Sequence, residues 1–173
     1  MISSSDILRG KILIVDDQEA NILLLERMLR GAGYTSITST KDSNQVPALH
    51  GKNHYDLILL DLEMPGMGFS GFQVMDRLRE IESDGYPPVI VITAHPGHML
   101  HALEAGARDF ICKPFELAEV LARIRNMLEV RLLFTEAKNC IKALQQKAGE
   151  TETGRDHVCR PGDEAGPLRG LGR

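Results

Sequence analysis

Short apolar runs rich in branched residues alternate with stretches in which apolar positions recur every three or four residues. Residues 11–15 (KILIV) are nearly all apolar, as a strand covered on both faces should be. Residues 20–30 follow with Ile22, Leu25, Met28 and Leu29 at helical spacing, closed by Gly31 or Gly33. Residues 34–40 predict a weaker, more polar strand nearer an edge, and 43–50 a poor helix containing Pro47. A second buried strand is expected at 56–60 (DLILL), then a helix over 71–81 through Phe72, Met75, Leu78 and Ile81. Residues 89–93 (VIVIT) and 109–112 (DFIC) predict the last two strands, separated by a short helix at 98–105 that ends at Gly106. The alternation of five strands with helices predicts a parallel sheet with helices on both faces. Sites in such sheets gather beyond the carboxyl ends of the strands.

From Phe115 the pattern changes, and a helical segment is expected to about Gln146. Within it Met127, Val130, Phe134, Ala137, Ile141, Leu144 and Ala148 alternate steps of three and four, a coiled-coil seam. Residues 149–173 are rich in glycine and charge and nearly free of large apolar residues, which predicts disorder. The expected organisation is an N-terminal extension (1–9), a globular domain (10–130), a helical coiled-coil extension (131–148) and a disordered tail (149–173).

Composition narrows the class. The 173 residues are 43% hydrophobic and 25% charged, the profile of a globular domain, and the longest apolar runs are far too short to span a bilayer. The N-terminus shows no secretory signal pattern. Residues 1–115 hold 15 acids against 10 bases and residues 116–173 hold 9 against 10, so neither part carries the basic excess of a nucleic-acid binder. Cys112, Cys140 and Cys159 share no metal-ligand spacing and read as free thiols of a cytoplasmic protein.

The strand ends carry the candidate chemistry. The first strand ends in Asp16 and Asp17, the third in Asp61, the fourth in Thr93 and the fifth in Lys113–Pro114. Three carboxylates in one crevice repel one another, so they need a cation or must hold protons; a hard divalent ion such as Mg²⁺, which takes oxygen ligands, is the natural partner. A lysine and a hydroxyl beside it supply donors for an incoming phosphoryl group, which favours phosphate transfer onto an aspartate. Taken singly, each residue has an ordinary role: a helix cap for Asp16, Asp17 or Thr93, a surface charge for Lys113, a helix start for Pro114. Their joint fall at successive strand ends is what singles them out.

These residues lie in VDD (15–17), LLDLEMPGM (59–67), ITA (92–94) and GARDFICKPF (106–115), and over about residues 10–130 the chain resembles a response-regulator receiver domain of two-component signalling. The resemblance implies a flavodoxin-like (βα)5 fold, a doubly wound five-stranded parallel sheet of order 2-1-3-4-5, here with an extended C-terminal helix. It implies Asp61 as phosphoacceptor, Asp16 and Asp17 as the metal-binding pair, and the backbone carbonyl of Glu63 as a further Mg²⁺ ligand. Thr93 is implied as the hydroxyl that follows the phosphoryl group, Lys113 as its counter-charge, and Phe110 as the switch aromatic. Glu63 and His95 are implied to tune dephosphorylation, and the Lys113–Pro114 bond is expected to be cis. The implied partner is a sensor histidine kinase or phosphotransfer protein. The heptad seam suits either a parallel homodimer through the C-terminal helix or a monomeric helix docked on its own domain or fraying, and charge and hydropathy point to neither nucleic acid nor membrane as partner. The domain would be no enzyme beyond its own phosphoryl transfer and slow autodephosphorylation.

Two departures stand out. Gly68–Phe69–Ser70 occupies a place where the family has one residue, so Phe69 is either a binding contact or tucked under its loop; and the stretch after Thr93–Ala94 is about two residues short. His95, His98 and His101 have loose metal-like spacing but also suit solvated surface positions. The segment ELAEVLARIRNMLEVRLL (116–133) resembles linkers to HD-GYP and other cyclic-di-GMP output domains, although no such domain follows; the chain reads as a stand-alone receiver or a truncated regulator. A flavodoxin-like cofactor protein would need a phosphate loop where the acids 16, 17 and 19 stand. A haloacid-dehalogenase-like phosphatase would need a second aspartate where Glu63 stands. A phosphorylation-independent interaction module is the remaining alternative.

Overall fold

The computed structural model describes residues 2–65, 68–82 and 88–153. Five parallel strands, β1 (Ile12–Val15), β2 (Ile37–Thr40), β3 (Leu57–Asp61), β4 (Val89–Thr93) and β5 (Asp109–Cys112), form one sheet in the order β2-β1-β3-β4-β5. The expected flavodoxin-like order 2-1-3-4-5 is therefore the observed one. β1, β3 and β4 are buried at every position, which is why their sequences run apolar rather than alternating. β2 (ITST) is only partly covered, at the edge as expected; residues 34–36 stay outside it, and Tyr34 instead buries its ring in the core.

Helices α1 (Ser4–Leu8), α2 (Glu19–Gly31) and α6 (Leu117–Thr153) contribute to the apolar layer on one face, where Ile22, Leu25 and Leu29 meet Val120, Ile124 and Leu128 over Ile12, Ile14, Leu57, Leu59 and Ile111. On the other face α3 (Val46–Asn53), α4 (Gly71–Ile81) and α5 (Met99–Glu104) cover Leu13, Val15, Ile58, Leu60, Val89 and Val91. Pro47 sits in the first turn of α3, where its missing N–H costs nothing, and a 3-10 turn (Ser43–Gln45) precedes it. Ahead of α5 lies a second 3-10 turn (Pro96–His98), so the shortened segment after Thr93 leaves a helix of six residues. It stops at Gly106, whose φ of +107° an L-residue adopts only with strain.

Two elements depart from expectation. The short helix α1, closed by a reciprocal Ser3–Asp6 capping box, lies in residues 1–9 and buries Ile7 against the α2/α6 layer. Gly10 follows it because a Cβ there would stand 2.9 Å from a Leu128 methyl and 3.1 Å from the Ile7 carbonyl. And α6 continues past the expected end near Gln146 to Thr153. Two compact units divide the chain, residues 1–136 and 137–173. In the second, Ile141 and Leu144 are exposed at 55% and 67%. Of the expected tail, 154–173 lies outside the described residues.

Candidate functional site

Parallel register brings the singled-out residues together. Val15 pairs with Leu60, so Asp16 leaves β1 level with Asp61 at the end of β3. Thr93 pairs with Cys112, which sets Lys113 immediately beyond it, its N–H donating to the Thr93 carbonyl at 2.8 Å. Asp16, Asp61 and Thr93 are almost wholly buried, although all three are polar. Buried polar groups survive only with partners. Asp16 Oδ1 accepts from the Gln18 N–H at 2.8 Å and from Asn21 Nδ2 at 3.1 Å. Asp61 Oδ1 accepts from the Glu63 N–H at 3.0 Å, and its Oδ2 from Lys113 Nζ at 2.9 Å. The same ammonium lies 3.7 Å from Asp16 Oδ2, and the Lys113–Pro114 bond is cis.

The acids remain under-compensated. Asp16, Asp17 and Asp61 each bring a carboxylate oxygen within 4.8 Å of the others, against one lysine among the described residues. Asp17 Oδ1 is buried and has no hydrogen-bond partner among the described residues. Burial pushes the Asp16 carboxyl above its ordinary value; the Gln18 N–H works against this and the Asp61 charge adds to it. An orphaned buried oxygen within an all-oxygen donor set fits a hard divalent cation.

Thr93 is engaged elsewhere. Its hydroxyl donates to Glu63 Oε1 at 2.9 Å, and the same oxygen accepts from the Ala94 N–H at 3.1 Å and faces His95 Nδ1 at 2.5 Å. Desolvation pushes the Glu63 carboxyl up, but the bonds from His95, Thr93 and Ala94 together outweigh it and hold its pKa below the usual value. Phe110 is half-buried on the α3–α5 side of the sheet, with the Arg123 guanidinium 5.7 Å from its ring centre. Arg123 is itself held by both oxygens of Asp109 at 2.9 Å.

The lengthened loop is explained by what it caps. Ser70 closes α4 through a capping box with Gln73, and the Phe69 N–H donates to Asn44 Oδ1 at 3.2 Å. Phe69 is half-buried and tucks against the α3/α4 layer with Arg77 5.8 Å from its ring centre, in keeping with the second of its two expected roles. Of the three histidines, His95 and His98 stand near each other, with ring centres 5.4 Å apart, whereas His101 stacks on Phe72 at 4.1 Å. Glu63 takes the place of His101 in that cluster. Asn21, which steadies Asp16, had no signal in sequence beyond its position one helical turn on from the acidic pair.

Residues 12–125 match the response regulator receiver domain family. Over 131 residues the chain is 37% identical to the response regulator PleD of Caulobacter vibrioides, covering 75% of this chain and 28% of that protein. It is 34% identical over 125 residues to the DNA-binding response regulator MtrA of Mycolicibacterium smegmatis, covering 71% and 52%. Among solved structures, the receiver domain of sensor histidine kinase PA1611 from Pseudomonas aeruginosa PAO1, with a magnesium ion coordinated in its active-site cleft, superposes with a TM-score of 0.63 at 30% identity, covering 70% of this chain and 98% of that one. The chain thus spans from about a quarter to a half of these curated relatives' length. With the fold, the acidic crevice and the matched residues in agreement, the chain belongs to the response regulator receiver domain family.

Proposed function

We propose that Asp61 accepts a phosphoryl group from the phosphohistidine of a sensor histidine kinase or phosphotransfer protein, and that this event switches the domain's surface. The observation that carries the reading is the approach of Lys113 Nζ to Asp61 Oδ2 at 2.9 Å within a buried group of three carboxylates. Asp16, Asp17, Asp61 and the backbone carbonyl of Glu63 are the residues that would hold Mg²⁺. Mg²⁺, when bound, supplies charge neutralisation to the transferring phosphoryl group. A carboxylate oxygen of Asp61 forms the O–P bond as the P–N bond to the donor imidazole breaks, the electron pair leaving with the imidazole. Lys113 holds the charge that develops on the phosphoryl oxygens.

The new group brings up to about two negative charges and several acceptor oxygens. Thr93 then exchanges its Glu63 partner for a phosphoryl oxygen, and Phe110 turns into the space released beside β4. The surface around α5 and β5 changes with it, a two-state element biased by a local charge. Glu63 and His95 flank the approach of hydrolytic water and set the lifetime of the phosphoryl group. Catalysis by the chain is confined to its own phosphorylation and slow dephosphorylation, in a cytoplasmic setting; no helix among the described residues is long and apolar enough to cross a membrane. The receiver spans 10–130 in this reading, with 131–148 as the helical extension.

Acetyl phosphate with Mg²⁺ tests it: intact-mass spectrometry should show gain of one phosphoryl group, absent in Asp61→Asn. A gain that survives Asp61→Asn, or none at all in the wild type, overturns the reading and favours an interaction module.

The extension supports a second element of the proposal. Val130 and Phe134 in the first unit and Ile141 and Leu144 in the second are exposed at positions of the heptad seam. Apolar seams of this spacing pair with a second helix, and we infer a parallel homodimer through α6. The likeness of 116–133 to linkers of cyclic-di-GMP output domains assigns α6 the role of passing the receiver's state to an effector. PleD and MtrA share only the receiver portion with this chain, so the effector's chemistry does not follow from them.

A further inference from the structure

A second cluster of metal-ligating side chains lies outside the three aspartates. Glu63, His95 and His98 each present one ligand atom, all within 4.8 Å of one another. The fold builds this group from two segments. Glu63 follows β3 and His95 follows β4, adjacent strands, while the 3-10 turn Pro96–His98 places His98 three residues on, on the same face as His95. The Glu63 carboxylate is turned away from Asp61: it faces His95 Nδ1 at 2.5 Å, while its own N–H donates to Asp61. All three side chains retain solvent access, with His95 68% and Glu63 28% exposed, so an ion can enter and keep water in open positions.

The donor set decides the ion. Two imidazoles and one carboxylate suit Zn²⁺ and its neighbours, whereas Mg²⁺ prefers oxygen ligands alone. Zinc sites with three protein ligands of this kind keep a fourth position for water. Zn–N and Zn–O bonds of about 2.0–2.2 Å need ligand atoms about 3.3–3.5 Å apart, so His95 Nδ1 and Glu63 Oε1, which face each other at 2.5 Å, must part by about 1 Å while exposed His98 rotates toward them. We propose that Glu63, His95 and His98 form a binding site for a borderline divalent transition ion of the Zn²⁺ class, separate from the aspartate site and coupled to it through Thr93. The coupling is local: the Thr93 hydroxyl donates to the same Glu63 oxygen that faces His95. An ion that fixes this carboxylate keeps the acceptor of Thr93 in place and opposes its transfer to a phosphoryl group. This consequence rests on the receiver reading; the site does not.

The test is titration of the full chain with ZnCl₂ in excess Mg²⁺, with Co²⁺ as spectroscopic probe. One ion per chain is expected, with the visible bands of a nitrogen–oxygen site and no thiolate charge-transfer from Cys112, Cys140 or Cys159. His98→Gln and His95→Gln should each weaken binding by at least about tenfold, while Asp61→Asn leaves it unchanged. Thiolate bands, wild-type affinity in either histidine variant, or loss of binding in Asp61→Asn overturns the site. Phosphorylation by acetyl phosphate should slow when Zn²⁺ is bound, and that zinc dependence should vanish in His98→Gln; a rate indifferent to Zn²⁺ overturns the coupling. Failure of the receiver reading is separately visible as absent Asp61-dependent phosphorylation beside an intact Zn²⁺ titration.

Discussion

His50 shows what a single buried residue contributes away from the site. It is wholly buried in α3, its Nδ1 accepting the Tyr55 N–H at 3.2 Å and its Nε2 facing Glu82 at 2.6 Å. An Nδ1 that accepts an amide proton has none of its own, so the neutral ring carries its hydrogen on Nε2 and donates it to Glu82. Arg131 of α6 completes the group, donating to both Glu82 oxygens at 3.2 and 3.3 Å. Desolvation holds the His50 pKa below its ordinary 6.5, against the raising effect of Glu82 and with a further lowering from Arg131 and His54. The unfolded chain therefore binds the proton more readily between the depressed folded value and 6.5. Stability is expected to fall as pH drops through 6.5 and to level off below the folded pKa. Urea midpoints measured from pH 8 to 5 check this. His50→Gln keeps a donor and an acceptor, should flatten that dependence, and should cost about 1–3 kcal/mol at pH 8 through imperfect bonds.

At the scale of elements, the packing of α4 onto β3 governs the site. A Cβ on Gly71 would stand 2.6 Å from a Leu62 methyl, 2.9 Å from the Leu62 Cα and 3.1 Å from the Asp61 carbonyl. Two of those neighbours are backbone and cannot swing aside, so Gly71→Ala must push the start of α4 off the end of β3. The expected cost is about 1–3 kcal/mol, read as a lower urea midpoint, with slower Asp61 phosphorylation by acetyl phosphate. Unchanged stability and rate would show that the junction yields more easily than its contacts indicate. The strands and most helices were legible from periodicity, because strands covered on both faces need apolar runs and amphipathic helices need three-four spacing. The short helix α1 was not, since a five-residue helix carries too few apolar positions to display a period and depends on Ile7 finding the α2/α6 layer. The Phe69 loop was ambiguous for a similar reason. Whether its ring is tucked depends on Asn44, which holds the loop through the Phe69 N–H and lies 25 residues away in sequence.

At the scale of the whole molecule, the exposed apolar seam of α6 bears on assembly. Light scattering of the full chain with Mg²⁺ and beryllofluoride should report a dimer that dissociates on dilution, and Ile141→Asp with Leu144→Asp should leave a monomer that still takes up phosphate on Asp61. A monomer at every concentration, with and without beryllofluoride, would rule the α6 dimer out. The acid excess of residues 1–115 takes on a local meaning here, because Asp16, Asp17 and Asp61 add to it from within the crevice. That charge is tolerable only with Lys113 and a cation beside it.

The sequence by itself determined the sheet, its edge strand and the acidic crevice, because these follow from periodicity and from residue types at successive strand ends, and its motifs carried the family resemblance. Register is the physical link: once five parallel strands are in place, their C-terminal residues must meet. Only the tertiary structure decided which partners the site residues take. That Thr93 is held by Glu63, that Asp17 keeps an oxygen without a partner among the described residues, that His101 gives way to Glu63 beside His95 and His98, and that His50, Glu82 and Arg131 meet, are outcomes of side chains brought together by packing from distant positions. Such contacts leave no period in the chain, since each depends on where several elements come to rest at once.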